Sequence, residues 1–163
     1  SMPDTRLAAA LLYREMVNEP QLRNLIAQAQ NSSVTLFKII SEHEGFSEEQ
    51  RLESRSLAAG LPFLQLDPGA ISQNTLLVIQ PETARMHHAV PVNIREAEDG
   101  QQTVTIALAN PADTPAKNAL TQYLAAEGLG VMFVGAHPER VQQVIHSRYE
   151  TMMDERELSL IHI

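Results

Sequence analysis

Histidines and carboxylates are the residues best suited to chemistry here, because the 163-residue chain holds no cysteine and no tryptophan. Without cysteine there is no disulfide framework, no thiolate zinc site and no cysteine nucleophile. His87 and His88 lie just beyond Arg85 at the expected end of a helix. Two adjacent imidazoles could begin a metal site, but a histidine pair at a helix end is more often a solvated cap, so no metal is expected. The acidic pairs Glu48/Glu49 and Glu98/Asp99 fall in a helix start and a hairpin turn, where solvated charge is ordinary. No Gly-x4-Gly-Lys-Ser/Thr, Gly-x-Ser-x-Gly or His-Glu-x-x-His pattern occurs. An enzyme reading has no catalytic residues to stand on. Binding and transmission is the class that remains.

Charge narrows the partners. Twenty acidic and twelve basic side chains give a net charge of −8, and Lys38 and Lys117 are the only lysines. That balance argues against nucleic acid and is compatible with a basic protein partner. No apolar run approaches the roughly 18 residues of a membrane span, so direct membrane insertion is not expected and a cytoplasmic location is the default.

These residues need elements to hold them, and the pattern predicts an α+β fold in two parts. Residues 1–60 read as a four-helix region: residues 6–16, a second helix capped by Asn18, a third begun by Ser32 or Ser33, and a fourth begun by the capping box Ser47-Glu-Glu-Gln50. Gly60 ends the fourth, with Pro62 just beyond. Setting Arg6-Leu7 against Thr35-Leu36 gives a weak internal repeat of about 29 residues. Residues 61–69 form an apolar, proline-stiffened junction, in which Phe63 and at least one of Leu64 and Leu66 are expected to be buried and to hold the halves together. Residues 70–150 read as a small three-stranded α+β unit: two short helices, a strand over 89–95, a hairpin at 98–101, an alternating strand over 103–108, a helix over 114–127, a strand over 131–134 and a last helix from His137. Residues 151–157 open a linker. Residues 158–163 back-translate to a mosaic-end sequencing adapter and are expected to be a non-native tail.

Four separated segments carry a family resemblance. Leu61-Pro-Phe-Leu-Gln-Leu66, Gln80-Pro-Glu-Thr-Ala-Arg-Met-His-His-Ala-Val-Pro-Val92, Val104-Thr-Ile-Ala-Leu-Ala-Asn-Pro-Ala-Asp113 and residues 131–145 follow one another at the right spacing. Together they resemble the N-terminal domain of type II secretion and type IV pilus assembly ATPases, over about residues 5–150. The matched residues Pro62, Pro81, Glu82, Ala84, Arg85, Pro91, Asn110, Pro111 and Asp113 are mostly structural: helix starts, close packing and turns. The resemblance implies a non-catalytic docking and regulatory domain. Its partners would be the cytoplasmic part of an inner-membrane platform protein and an ATPase motor in the same chain, peripheral to the inner membrane. An alternative host is a membrane glycosyltransferase carrying the same regulatory domain.

One branch of that family binds cyclic di-GMP through tandem repeats beginning Arg-Leu-Gly. Here the first repeat keeps Arg6 and Leu7, but Ala8 and Glu15 stand at the two glycine positions and Ala29 at the glutamine position. The second repeat reads Thr35-Leu36-Phe37, Glu44 and Ala58 at the corresponding points. A ligand lying on backbone needs close approach without a Cβ, and glutamates repel a dianion. Arg6 is the single nucleotide-binding candidate, by base stacking or phosphate pairing, and weak or absent binding is expected.

Overall fold

Leucines three and four residues apart put one apolar face on each of the first helices. That spacing buries Leu7 and Leu11 of α1 (Met2–Tyr13), Leu22 and Leu25 of α2 (Glu19–Ser32), and Leu36 and Ile40 of α3 (Leu36–Glu42) in a single core. Val17 and Phe46, from the turns, complete it. Helix α4 (Glu48–Ala58) lies against α1 and α3 and lends Leu57 and Ala58. The computed structural model describes residues 1–152, which fall into two compact units, Ser1–Phe63 and Leu64 onward. Their boundary falls within residues 61–69. The tail at 158–163 and most of the linker at 151–157 lie outside the described residues. In the junction Phe63 and Leu64 are half-buried and only Leu66 is buried, so Phe63 is less enclosed than expected.

Local side-chain chemistry sets the helix ends. Asn18 and Ser47 each close a reciprocal capping box, with Gln21 and Gln50. Helix α1 starts four residues earlier than expected because Ser1 caps Asp4 N. The third helix begins after Thr35 rather than at Ser32 or Ser33, because Ser33 adopts the left-handed conformation that ends α2 (φ 53°). The repeat of about 29 residues is structural: Leu7 and Leu36, Leu11 and Ile40, Val17 and Phe46, and the two capping boxes occupy matching positions. It fails at Leu25 and Ser54, where a buried leucine is answered by a fully buried serine whose Oγ has no hydrogen-bond partner.

Glu15 ends α1 in the left-handed region (φ 55°), with Glu15 N donating to Leu12 O and Met16 N to Leu11 O. A Cβ there costs about 1–2 kcal/mol, and glycine's extra freedom when unfolded returns about half of that. Glu15→Gly is therefore expected to stabilise the chain by up to about 1 kcal/mol, read as a higher urea midpoint. A lower midpoint would mean that the Glu15 side chain contributes more than its backbone strain costs.

The second unit is built on a three-stranded sheet ordered β1 (Ala89–Glu96), β2 (Gln102–Leu108), β3 (Gly130–Gly135). β1 and β2 form an antiparallel hairpin, while β2 and β3 run parallel across α7 (Thr114–Ala125). Pro91 sits on edge strand β1 beside a bulge at Val92, where a missing N–H does least harm. The alternation expected over 103–108 is overridden: from Val104 onward every residue of the central strand is buried, as befits a strand covered on both faces. Short helices α5 (Gln73–Leu76) and α6 (Pro81–His87) pack on β1, and α8 (Pro138–Val144) runs on through a π-helical turn, Ile145–Tyr149. No helix among the described residues is long and apolar enough to cross a membrane.

Candidate functional site

Arg6 lies on the exposed side of α1, and its guanidinium is already engaged. Nη2 donates to Ala58 O at 3.3 Å, at the C-terminal end of α4. Gly60 closes that end at φ +79°, with Gly60 N bonded to Leu57 O and Leu61 N to Ser56 O. A Cβ on Gly60 would stand 2.8 Å from Arg6 Nη1, so the guanidinium would have to shift, while the positive φ is what calls for glycine. A cation over the carbonyl end of a helix is favourable through the helix dipole. Arg51 does the same for α3, donating to His43 O at 2.5 Å. The sequence alone offered Arg6 as a nucleotide ligand; its partner 52 residues away could not be read from spacing.

Two hollows open on the helical unit. The first, about 230 Å³, is lined by no carboxylate, lysine or arginine: Gln21, Asn24 and Gln28 of α2 face His43 and Phe46, whose rings meet edge to face at 5.5 Å. The second, about 430 Å³, lies between the first turns of α1 and the last turn of α2. Ala8, Ile26, Ala29, Val34 and Leu36 give it apolar walls, and Asp4 supplies a carboxylate. Asp4 Oδ1 accepts from Leu36 N at 3.2 Å, which ties α1 to the start of α3. Ala8 and Ala29, two of the repeat positions singled out in the sequence, therefore line one hollow, while Arg6 is not among its lining residues.

The remaining motif residues lie in the second unit or at its border and do structural work. Pro81 opens α6 and is buried, Glu82 is exposed in its first turn, and Ala84 is fully buried. Asn110 Oδ1 accepts from Ala112 N, Pro111 is buried, and Asp113 caps α7 by accepting from Ala116 N. Pro62 is exposed, and Ser56 Oγ donates to its carbonyl and to that of Leu61. Arg85 and His87 are half-buried at the end of α6, and His88 is its left-handed cap (φ 46°). Among the described residues no three histidine or carboxylate side chains gather in a way that could hold a metal. Sequence reasoning missed Asp4, Tyr123 and Tyr149: Tyr123 Oη accepts from Gln80 N, and Tyr149 Oη donates to Leu76 O.

Comparison with known proteins agrees with this geometry. No curated protein matches the chain. A solved structure of MshE with cdg is 24% identical, with a TM-score of 0.57, over 88% of this chain and 99% of that one. Two structures of the N-terminal domain of XpsE are 19% and 20% identical, with TM-scores of 0.44 and 0.46. They cover 88% and 90% of this chain and 94% and 95% of theirs. The family model of the MshEN domain matches residues 59–155, more than half of the sequence. The chain thus belongs to the MshEN domain family.

Proposed function

We propose that this domain is a non-catalytic docking and regulatory module of a type II secretion or type IV pilus assembly ATPase. It binds the cytoplasmic part of an inner-membrane platform protein and hands that contact on to a motor in the same chain. Membership of the MshEN family is the observation that carries the reading. The surface of the helical unit supports it, because Tyr13 is 89% exposed beside Leu12 at the end of α1. Aromatic anchors of this kind dominate protein interfaces. The test is calorimetry with the cytoplasmic region of the inner-membrane platform protein of the same secretion or pilus system. Binding is expected, weakened at least tenfold by Tyr13→Ser, and the purified chain should turn over no ATP above a buffer control. A wild-type chain that binds no such region overturns the docking reading.

Cyclic di-GMP is the second reading, favoured by the MshE structure that carries cdg. Against it stand Ala8 and Glu15 at the glycine positions and Arg6 held on Ala58 O. The expected result is no low-micromolar binding. Such binding, abolished by Arg6→Ala, would make nucleotide sensing the primary function.

A further inference from the structure

We propose that strand β3 pairs edge to edge with β3 of a second copy of this chain, antiparallel and centred on Met132, joining two three-stranded sheets into one. The inference stands on the second unit alone and does not depend on a platform partner. Among the described residues β3 ends the strand order on one side of the sheet. Along a strand, the N–H and C=O groups of successive residues point to opposite edges. Ala136 N, one residue past β3, donates to Leu108 O of β2, so the even-numbered residues face inward. Gly135 O accepts instead from Leu64 N, on the outer side. Val131 and Phe133 alternate in step with Gly135 and therefore turn their N–H and C=O groups outward.

Register, side chains and charge single out a second copy as the occupant. With Gly135 O taken by Leu64, a two-fold axis at Met132 sets Val131 of one copy opposite Phe133 of the other. Each of these two pairs exchanges both of its backbone hydrogen bonds. Met132 then meets its own copy at the closer, non-hydrogen-bonded position, which covers a large apolar side chain left 43% exposed. Residues 64–163 hold twelve acidic and six basic side chains, a net −6, so the unit repels its copy in general. Residues 128–136 carry no charge, and here two strands can approach without setting carboxylate against carboxylate. The opposite edge is guarded: β1 has Pro91, a bulge at Val92 and exposed Asn93, Arg95 and Glu96. β3 has no proline, no charged residue and no break in its register.

The experiment is analytical ultracentrifugation of the whole chain from about 10 μM to about 1 mM, since so short an interface is weak. A monomer–dimer equilibrium is expected, tightening as added salt screens the acidic units, with amide exchange at Val131 and Phe133 slowing as concentration rises. Met132→Lys and Met132→Glu, at an exposed position, are each expected to weaken the dimer about tenfold, because like charges then stand opposite one another. Mixed in equal amounts, the two variants should pair again. Val131→Pro removes an outward donor without touching the β2 ladder and should also weaken the dimer, whereas Met86→Lys, exposed outside the strand, should not. A chain that stays monomeric throughout, or a Met132→Lys variant that associates like wild type, overturns the proposal. So does a mixture that associates no better than either variant alone, which would place Met132 away from its copy. If the chain is monomeric and Met132→Lys abolishes binding of the platform region, self-pairing falls and the docking reading stands.

Discussion

Tyr149→Ala is expected to cost about 3–5 kcal/mol, the scale of a fully buried aromatic side chain cut back to a methyl. Tyr149 has no exposed surface and is among the largest enclosed residues of its unit. It sits at the end of the π-helical turn, and its hydroxyl donates to Leu76 O at 2.9 Å. Tyr149→Phe keeps the ring and removes one of two donors to that carbonyl, the other being Ile79 N at 3.5 Å, for a smaller loss of about 0.5–1.5 kcal/mol. Burial, and next the proximity of Tyr123, hold the phenol above its ordinary range. The neutral form is therefore the one the fold favours, and its contribution is intact below about pH 10, the ordinary tyrosine value. It is lost as the pH rises from there, because the unfolded phenol ionises and the folded one resists. Urea unfolding as a function of pH would show the alkaline decline in the wild type and a flatter profile in Tyr149→Phe. Equal stability of Tyr149→Ala and wild type would contradict the burial argument.

In the helical unit the largest effect is expected from Leu11→Ala. Leu11 is completely buried, beside Leu7 and Ile40 in one shared core. Truncation should cost about 2–5 kcal/mol, depending on how far the core can close over the cavity. A small unit buries little surface to begin with, so a loss of this size approaches its whole stability. Circular dichroism is expected to show a lowered melting midpoint with reduced helix content at 25 °C. An exposed control, Leu12→Ala, should change stability by less than about 1 kcal/mol. Equal losses at the two positions would show that the core had been assigned to the wrong face.

Where the sequence was legible, the signal was local. Asn18 with Gln21 and Ser47 with Gln50 announce their helices because a cap uses residues three apart. Pro91 points to an edge strand because its ring removes one ladder donor, and His137 to a helix start, where its Nδ1 accepts from Glu139 N. The failures were non-local or conformational. Ser33 looks like a helix start but serves as a left-handed stop, which its side chain does not advertise. The alternation of β2 disappears under cover that only the assembled sheet supplies. Phe63 is apolar enough for a core position yet only half-buried, since composition does not say how much surface comes to meet it. The site was least legible of all. Arg6 finds Ala58, and Asp4 finds Leu36, across 52 and 32 residues, distances at which no periodicity carries information.

The mixed pairing of the sheet also sets an order of events. The hairpin joins Glu96 to Gln102 across a few residues, whereas β3 joins β2 only after the intervening chain has formed α7, from Thr103 paired with Gly130 onward. Each doubling of a closing loop adds about 0.6 kcal/mol of entropy cost, and the parallel crossover is more than two doublings longer than the hairpin. The β1–β2 hairpin should therefore assemble on the microsecond scale of such turns, with β3 arriving later as α7 swings it into place. Until then Val104 and Ile106 have no strand on one side. The refolding rate of the second unit is thus governed by the crossover helix, and substitutions that raise helix propensity on the exposed face of α7 should speed it.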